Sequence, residues 1–130
     1  FMTGGQTQAT NERMRIDGSG NVGIGNKNPN STLSITGSIG VGFRSGAGAY
    51  TILSTDYVVI HTGGAANWTL PAANTCTGRI YKLINHGTGS ITLSQVLTYS
   101  NTVTTTTLNN TSGSNNQEIL SDGTIWHKIN

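Results

Sequence analysis

The chain has 130 residues, of which 34% are hydrophobic and 9% are charged, and its formal net charge is +2. Globular domains carry roughly 45–50% apolar and 25% charged residues, so one copy of this chain can bury little apolar surface alone. The low net charge disfavours disorder, and seven scattered Lys and Arg residues disfavour nucleic-acid binding. No apolar run approaches the roughly 20 residues that cross a bilayer, so we expect no membrane insertion.

The residue types predict an all-β chain that associates with copies of itself. Thr, Gly, Asn and Ser make up half of the residues, a composition typical of short strands joined by tight turns. No twelve-residue stretch keeps a helical apolar period without an interrupting Gly or Asn. The single cysteine, Cys76, excludes an intrachain disulfide. Because neither helix packing nor a disulfide supplies the missing core, we expect a homo-oligomer.

The first 48 residues predict an extended linker followed by an intertwined β neck. Residues 1–11 are polar and Gly-containing, and Met2 follows Phe1, which suggests that the numbering begins inside a longer protein. Residues 12–43 hold two similar blocks, each an alternating strand, a Gly-rich turn and a second alternating strand. Each strand has one narrow apolar face: Met14 with Ile16, Val22 with Ile24, Leu33 with Ile35, and Ile39 with Val41 and Phe43. Such a face is too small for a free hairpin and suits three chains around a common axis.

Residues 49–130 predict a β head, either a small sandwich or barrel-like. Both Trp and all four Tyr lie in this part of the chain. Asp122-Gly123 predicts a two-residue type I′ hairpin turn, and Tyr81, in the apolar stretch 80–84, is predicted to be a core residue. The expected strands are 50–54, 57–62, 67–70, 79–85, 90–94, 102–108, 116–121 and 124–129.

Two stretches resemble segments of bacteriophage tail fibres and tailspikes. Residues 12–29 read ERMRIDGSGNVGIGNKNP, similar to an ERMRID, GNVGIG and Pro pattern in those proteins. Residues 69–73, 78–85 and 121–126, reading TLPAA, GRIYKLIN and SDGTIW, are similar to a β-rich module near the C-terminus of phage and bacterial fibre proteins. In many tail fibres the first pattern precedes an autoproteolytic chaperone domain, of which we see no counterpart here. The resemblance implies a parallel homotrimer with an exposed receptor-binding tip, on a virion tail. The match of Trp126 to the second pattern also implies that this residue is structural.

Motifs for cofactors and metals are weak. Residues 18–23 match G-x-G-x-x-G, but the residues after Gly23 will not begin the helix that a dinucleotide site needs. His61, His86, His127 and Cys76 lack the close spacing of metal ligands. A three-histidine site on a trimer axis stays an alternative, mainly through His86, while His61 and His127 are expected to be packed or solvated. Cys76 is expected to be a free thiol in a polar loop. We predict no cofactor and no metal.

For catalysis, Asp56 and Glu118 are the carboxylates of the head that no turn explains, and a glycosidase needs such a pair roughly 5–9.5 Å apart. No G-x-S-x-G motif supports a serine hydrolase. We therefore predict that the chain is not an enzyme, with a polysaccharide depolymerase as an alternative.

The receptor-binding candidates are aromatic and polar residues, because sugars present C–H faces and hydroxyl groups together. Trp68 is flanked by Asn67 and Thr69, and Tyr99 lies beside Asn101 in a stretch expected to be a polar loop. His86 lies in a Gly-containing loop. The sequence thus predicts Trp68, Tyr99, Asn101 and His86 as contacts to a host-surface glycan or other receptor.

The combined prediction is the distal part of a trimeric phage-type tail fibre, joined to upstream fibre or tail proteins and attached to a host receptor. One alternative is a purely structural segment or spacer of a virion or phage-like injection apparatus. Another is a bacterial surface adhesin that uses the same module.

Overall fold

A computed structural model describes residues 12–100, 103–109 and 116–129 of the chain. The prediction of an all-β fold is confirmed: apart from a 3₁₀ turn at Ala73–Thr75, the described regular elements are strands. The chain divides into two compact units between Gly40 and Val41. The sequence placed a boundary near residue 48, whereas residues 47–49, within the Gly- and Ala-rich run, connect two strands of the larger unit.

The first unit holds a small three-stranded sheet with the order β1-β2-β3. Its strands are β1 (Met14–Ile16), β2 (Val22–Ile24) and β3 (Leu33–Ile35). β1 and β2 form the antiparallel hairpin that the first sequence block predicts. The second block is different, because β3 pairs in parallel with β2 and residues 38–42 form no strand. The second strand expected at residues 39–43 is therefore wrong, apart from Phe43, which belongs to a strand of the larger unit.

The turn between β1 and β2 is built around Asp17. Its carboxylate accepts the backbone N–H groups of Ser19 and Asn21 at 2.8 and 2.9 Å, and Gly20 adopts a positive φ of 83°. These hydrogen bonds, that of Asn21 foremost, lower the pKa of Asp17. The Asp17 carboxylate thus binds the backbone of the turn, and Gly20 supplies the positive φ that the turn requires. Together they fix the register of the hairpin.

The second unit holds one large sheet of nine strands. Its strands are β4 (Phe43–Gly46), β5 (Tyr50–Thr51), β6 (Val58–His61), β7 (Ala66–Thr69), β8 (Ile80–Asn85), β9 (Ile91–Ser100), β10 (Val103–Leu108), β11 (Asn116–Ser121) and β12 (Trp126–Lys128). Each of the eight strands expected from the sequence overlaps one of β5 to β12.

Six of the nine strands come from three successive coils of the chain, and each coil contributes one strand to either side of the sheet. β4, β6 and β8 pair in parallel on one side, and β5, β7 and β9 pair in parallel on the other. The links from the first side to the second, residues 47–49, 62–65 and 86–90, lengthen by one residue per coil. They stack closely: a Cβ on Gly63 would overlap the carbonyl oxygen of Ala47, and one on Gly87 would overlap that of Gly63. Parallel pairing requires links that cross from one strand to the next. Because glycine has no side chain, the links of successive coils can lie against one another.

The later strands complete the sheet. β11 pairs with β8, and β12 pairs with β11, both antiparallel; β12 then joins β9 in parallel, and β10 folds back on β9. The strand order is β4-β6-β8-β11-β12-β9-β7-β5, so the two ends of the sheet are consecutive along the chain. The sheet therefore curls, and we call the gap between β4 and β5, spanned by residues 47–49, the seam.

The hairpin between β11 and β12 is confirmed, but its turn is longer than expected. Ser121 pairs with Trp126, so four residues form the loop. Asp122 is not in the positive-φ region, unlike Gly123 at 93°, which rules out a type I′ turn. Instead the Asp122 carboxylate accepts the N–H groups of Thr124 and Ile125 at 2.7 and 2.8 Å.

The core lies inside the curl of the large sheet. Alternate residues of β6, β8 and β11 point inward, with burial alternating along each strand. Tyr81 and Trp126 are completely buried, as predicted, with ring centroids 5.5 Å apart. The Trp126 indole donates to the Pro71 carbonyl at 3.0 Å. The remaining buried apolar side chains are those of Ile52, Val59, Trp68, Leu70, Ala73, Cys76, Leu83, Ile91, Leu93, Leu97, Leu108 and Ile119.

Candidate interaction surfaces

The small sheet has one apolar face that this unit leaves uncovered. Cross-strand register aligns two rows of three side chains on that face, namely Met14, Ile24, Ile35 and Ile16, Val22, Leu33. Ile16 is 68% exposed, Leu33 57% and Ile24 41%. Six of the nine residues that the sequence placed on narrow apolar faces therefore share one continuous face, which we call the apolar face of the small sheet.

The opposite face of the small sheet is covered by residues 26–29. Gly23 is buried there, because a Cβ would overlap the Asn26 carbonyl. The Asn26 side chain donates to Ser34 Oγ at 2.6 Å, and Arg15 donates to the Lys27 carbonyl at 2.5 Å. Arg15 also forms an ion pair with Glu12. These contacts cover the face of the small sheet that carries Arg15, Gly23 and Ser34.

The large sheet also carries apolar side chains on its outer surface, along the β4-β6-β8-β11 side. Lys82 and Glu118 lie among them, 3.8 Å apart in an ion pair. Phe43 is 66% exposed, and the others are partly exposed. The register places on this surface Phe43, Val58, Ile60, Ile80, Ile84 and Leu120.

The outer surface on the β5-β7-β9 side is polar. Thr51 pairs with Thr69, and Asn67 pairs with Thr92. All four are exposed. Their hydroxyl and amide groups are suited to hydrogen bonds with hydroxyl-rich ligands, whereas the β4-β6-β8-β11 side is suited to apolar contact.

A small pocket opens at the seam between β4 and β5. Its volume is about 40 Å³, and its walls are Arg44, Gly46, Ala47, Gly48, Ala49, Tyr50, Val59, Ile60 and Trp68. The Arg44 guanidinium carbon lies 4.0 Å from the centre of the Tyr50 ring, within the range of a cation–π contact. The Tyr50 hydroxyl donates to Asp56 at 2.8 Å, and burial, followed by this hydrogen bond, raises the pKa of Tyr50. The phenol thus stays neutral and fixed in place.

Trp68 does not have the surface position that its sequence context suggested. Its side chain is 2% exposed, its indole donates to the Gly48 carbonyl at 3.3 Å, and its ring packs edge-on against His61 at 5.8 Å. The expectation of an exposed sugar platform is therefore wrong: Trp68 faces the core because it lies on the inward side of β7. It touches solvent only as a wall of the seam pocket.

The other receptor candidates are not brought together with Trp68 in a described cluster. His86 is exposed in the 86–90 link, where its backbone N–H donates to the His61 carbonyl at 2.8 Å. Tyr99 belongs to strand β9 and not to a loop as expected, because the strand continues to Ser100. Asn101 lies outside the described residues.

The remaining titratable candidates have local structural partners. His61 is fully buried, with Nε2 2.6 Å from the Gly64 carbonyl and no partner in the structure for Nδ1. His127 lies 2.7 Å from Asp122. Cys76 is a free thiol, as predicted, but it is buried. Within the described ranges, no group of three or more potential ligands could hold a metal ion.

The carboxylates Asp56 and Glu118 have separate structural contacts. Asp56 closes the 53–56 turn, where its carboxylate accepts the Leu53 N–H at 2.8 Å as well as the Tyr50 hydroxyl. Glu118 pairs with Lys82 on the outer surface. The sequence treated Asp56 as unexplained by a turn, and the structure corrects this.

Comparison with protein-family models, curated proteins and solved structures finds no match to this chain. Among the described residues, no helix has the length and apolar character needed to span a membrane. The interpretation of the surfaces therefore depends on their own chemistry.

Sequence reasoning missed Arg44 and Tyr50, the polar and aromatic walls of the seam pocket. Their signal is the Gly- and Ala-rich run that separates them, since small side chains leave space between an arginine and an aromatic ring. In the sequence alone the same run favours a domain boundary, so nothing marks the residues beside it as a site.

Proposed function

We propose that the chain is the distal part of a homotrimeric, phage-type tail fibre that attaches to glycans on a host cell surface. The apolar face of the small sheet carries this proposal. Six apolar side chains in two aligned rows, three of them 41–68% exposed, are costly to leave in water. Contiguous apolar patches of this kind mark interaction sites.

A copy of the same chain is the best partner for this face. The face has no charged side chain among its six residues, so it meets an identical face without repulsion. Three small sheets around one axis would each turn this face inward and keep the covered face, with Arg15, outward. The ERMRID and GNVGIG resemblance lies on the strands that build the sheet, which supports the same arrangement.

Attachment would come from repetition of weak sites. Each chain offers the polar surface of β5, β7 and β9, where Thr and Asn side chains can bond sugar hydroxyls. Three linked sites raise one another's effective concentration, so that contacts weak by themselves produce firm attachment. Upstream fibre or tail proteins would hold the trimer at the virion tail.

A structural spacer is the second candidate function. The burial of Trp68 favours it, because it removes one of the aromatic rings expected to stack on a sugar. A spacer needs the same trimer but no receptor site.

Light scattering of the full chain tests the assembly. We expect three times the 13.6 kDa of one chain. Leu33→Asp places a charge in the apolar face and should reduce the mass to that of one chain. Asn30→Asp adds the same charge at an exposed position outside that face and should leave the trimer intact. A folded, heat-resistant monomer of the unaltered chain would disprove the proposal.

Binding of the intact chain to a glycan array and to host cells separates attachment from spacing. Attachment predicts binding that weakens in the Leu33→Asp variant, because that variant loses multivalency. An intact trimer that binds neither glycans nor cells would favour the spacer.

A further inference from the structure

We infer that the seam pocket binds the carboxylate of an acidic sugar, such as a uronic or sialic acid, through Arg44. The inference rests on the proposed attachment function and names the class of glycan.

Arg44 is a positive group without a carboxylate. Its guanidinium lies over Tyr50, and among the described residues it has no hydrogen bond or ion pair. The five acidic residues of the chain are all engaged elsewhere. Glu12 pairs with Arg15, Asp17 caps its turn, Asp56 accepts from Tyr50, Glu118 pairs with Lys82 and Asp122 contacts His127. A carboxylate for Arg44 would therefore come from outside the chain.

The Tyr50 ring holds Arg44 in a prepared position. A stacked guanidinium loses little further freedom when it binds, and its planar fork matches a carboxylate with two parallel hydrogen bonds. The Tyr50 hydroxyl is occupied by Asp56, so the ring acts as a fixed base beneath the arginine. The site offers an immobilised donor pair at the mouth of a pocket.

The volume decides which part of the ligand enters. About 40 Å³ exceeds the roughly 10–15 Å³ that one water requires and suits a group of about three heavy atoms. A carboxylate has that size, whereas a sugar ring does not. The ring must stay outside the pocket, on the surface of the sheet.

The residues outside the pocket favour a sugar over a peptide. Thr51, Asn67 and Thr69 belong to the same strands as Tyr50 and Trp68 but point to the outer surface of the sheet. All three are exposed. They provide hydroxyl and amide groups without adding charge, which suits a polyhydroxylated ring. If Arg44 only filled space between β4 and β5, its aliphatic stem would be sufficient. The guanidinium group is therefore the feature to be tested.

The two tryptophans give an internal readout by nuclear magnetic resonance. The indole N–H of Trp68 lies at the pocket, while that of Trp126 bonds Pro71 away from it. We would titrate the full chain with methyl β-D-glucuronide, with N-acetylneuraminate and with the uncharged methyl β-D-glucoside. The acidic sugars should shift the Trp68 indole resonance and leave that of Trp126 in place, and the glucoside should shift neither.

Variants test the guanidinium. Arg44→Gln should weaken binding of the glucuronide by roughly tenfold or more, as expected for loss of charge-assisted hydrogen bonds. Arg44→Lys keeps the stem and the charge, and should weaken binding less but measurably, because the fork is lost. Arg13→Gln removes an exposed arginine of the small unit and should change nothing. Equal binding by all three variants would overturn the inference, as would a Trp126 shift equal to that of Trp68.

Two further probes separate the ligand classes. Acetate, or a peptide with a free C-terminal carboxylate, that shifted Trp68 as strongly as the glucuronide at equal concentration would overturn the assignment to a sugar. On a glycan array, attachment to neutral glycans that Arg44→Gln leaves unchanged would overturn the acidic site and keep the proposed function. A monomeric chain that binds no glycan would instead defeat the proposed function.

Discussion

The two sheets of this molecule have the same sequence pattern, but one buries its apolar side and the other leaves it exposed. In both, apolar residues alternate with polar or small ones, so one side of each strand is apolar. The large sheet curls so that its apolar side faces inward and forms a core, which includes Leu83 and Trp126. The small sheet has only three short strands, so its apolar face stays exposed. Strand number, and not the pattern, decides whether a sheet can cover its own apolar face.

The comparison also separates two kinds of stability. The large sheet carries its own core, whereas the small sheet has hydrogen-bonded turns and the cover provided by residues 26–29. We therefore expect core substitutions to act within one chain, and apolar-face substitutions to act on assembly. The variants below test this division, beginning with the largest expected effect.

Leu83→Ala should destabilise the large sheet by about 2–5 kcal/mol, because it leaves a cavity at a fully buried position. Urea unfolding of the full chain, followed by tryptophan fluorescence, measures the loss. Leu53→Ala truncates a leucine that is 51% exposed in the same unit and should change stability by less than about 0.5 kcal/mol. Equal losses would mean that the curled core does not hold this unit together.

Gly63→Ala should destabilise the same unit by about 1–3 kcal/mol, since the added methyl overlaps the Ala47 carbonyl of the preceding coil. Gly64 is the matched control, because a Cβ there meets nothing within 4 Å. Urea midpoints of the two variants provide the test. If Gly64→Ala were the more damaging change, the stacking of the links would not be the constraint.

Asp122→Asn should have the smallest effect: it should lower stability slightly at neutral pH, and its difference from the unaltered chain should shrink as the pH falls. A hydrogen bond from His127, followed by those from the Ile125 and Thr124 amides, lowers the pKa of Asp122 from 3.8 to about 2. Because the folded-state pKa is depressed, this contribution to stability is present above pH 3.8 and is lost as the pH falls through about 2.

The Asn side chain retains an oxygen for the two amide hydrogen bonds but cannot titrate. Urea midpoints between pH 5 and pH 2 should therefore fall less steeply in the variant than in the unaltered chain. Parallel curves would show that the pair with His127 adds nothing to stability.

Much of the strand pattern could be predicted from the sequence, because alternation is local. Tyr81 was correctly assigned to the core, and the apolar residues of β1, β2 and β3 were correctly grouped by face within each strand. The pairing could not be predicted: Phe43 pairs with Val58, and Val58 with Lys82. Parallel partners so far apart leave no adjacent turn signal to reveal them.

The site was less predictable than the fold. Trp68 lies on the inward side of its strand, and its polar neighbours lie on the outward side. A shift of one residue in the register of that strand would exchange the two sides. The pocket forms where the curl brings β4 and β5 together, and only the complete sheet places Arg44 over Tyr50. Composition therefore predicts hydroxyl-rich surfaces. The contact between Arg44 and Tyr50 depends instead on the curling of the large sheet, which composition does not reveal.

The ends of the large sheet limit how the molecule can grow. β4 and β5 are edge strands, and an edge strand can recruit further strands from other molecules until a fibrillar aggregate forms. Here β5 contains only two residues, and β4 carries the charged Arg44 in its four-residue span. Both features resist open-ended strand addition, so copies can gather side by side in high local concentration without polymerising through this edge.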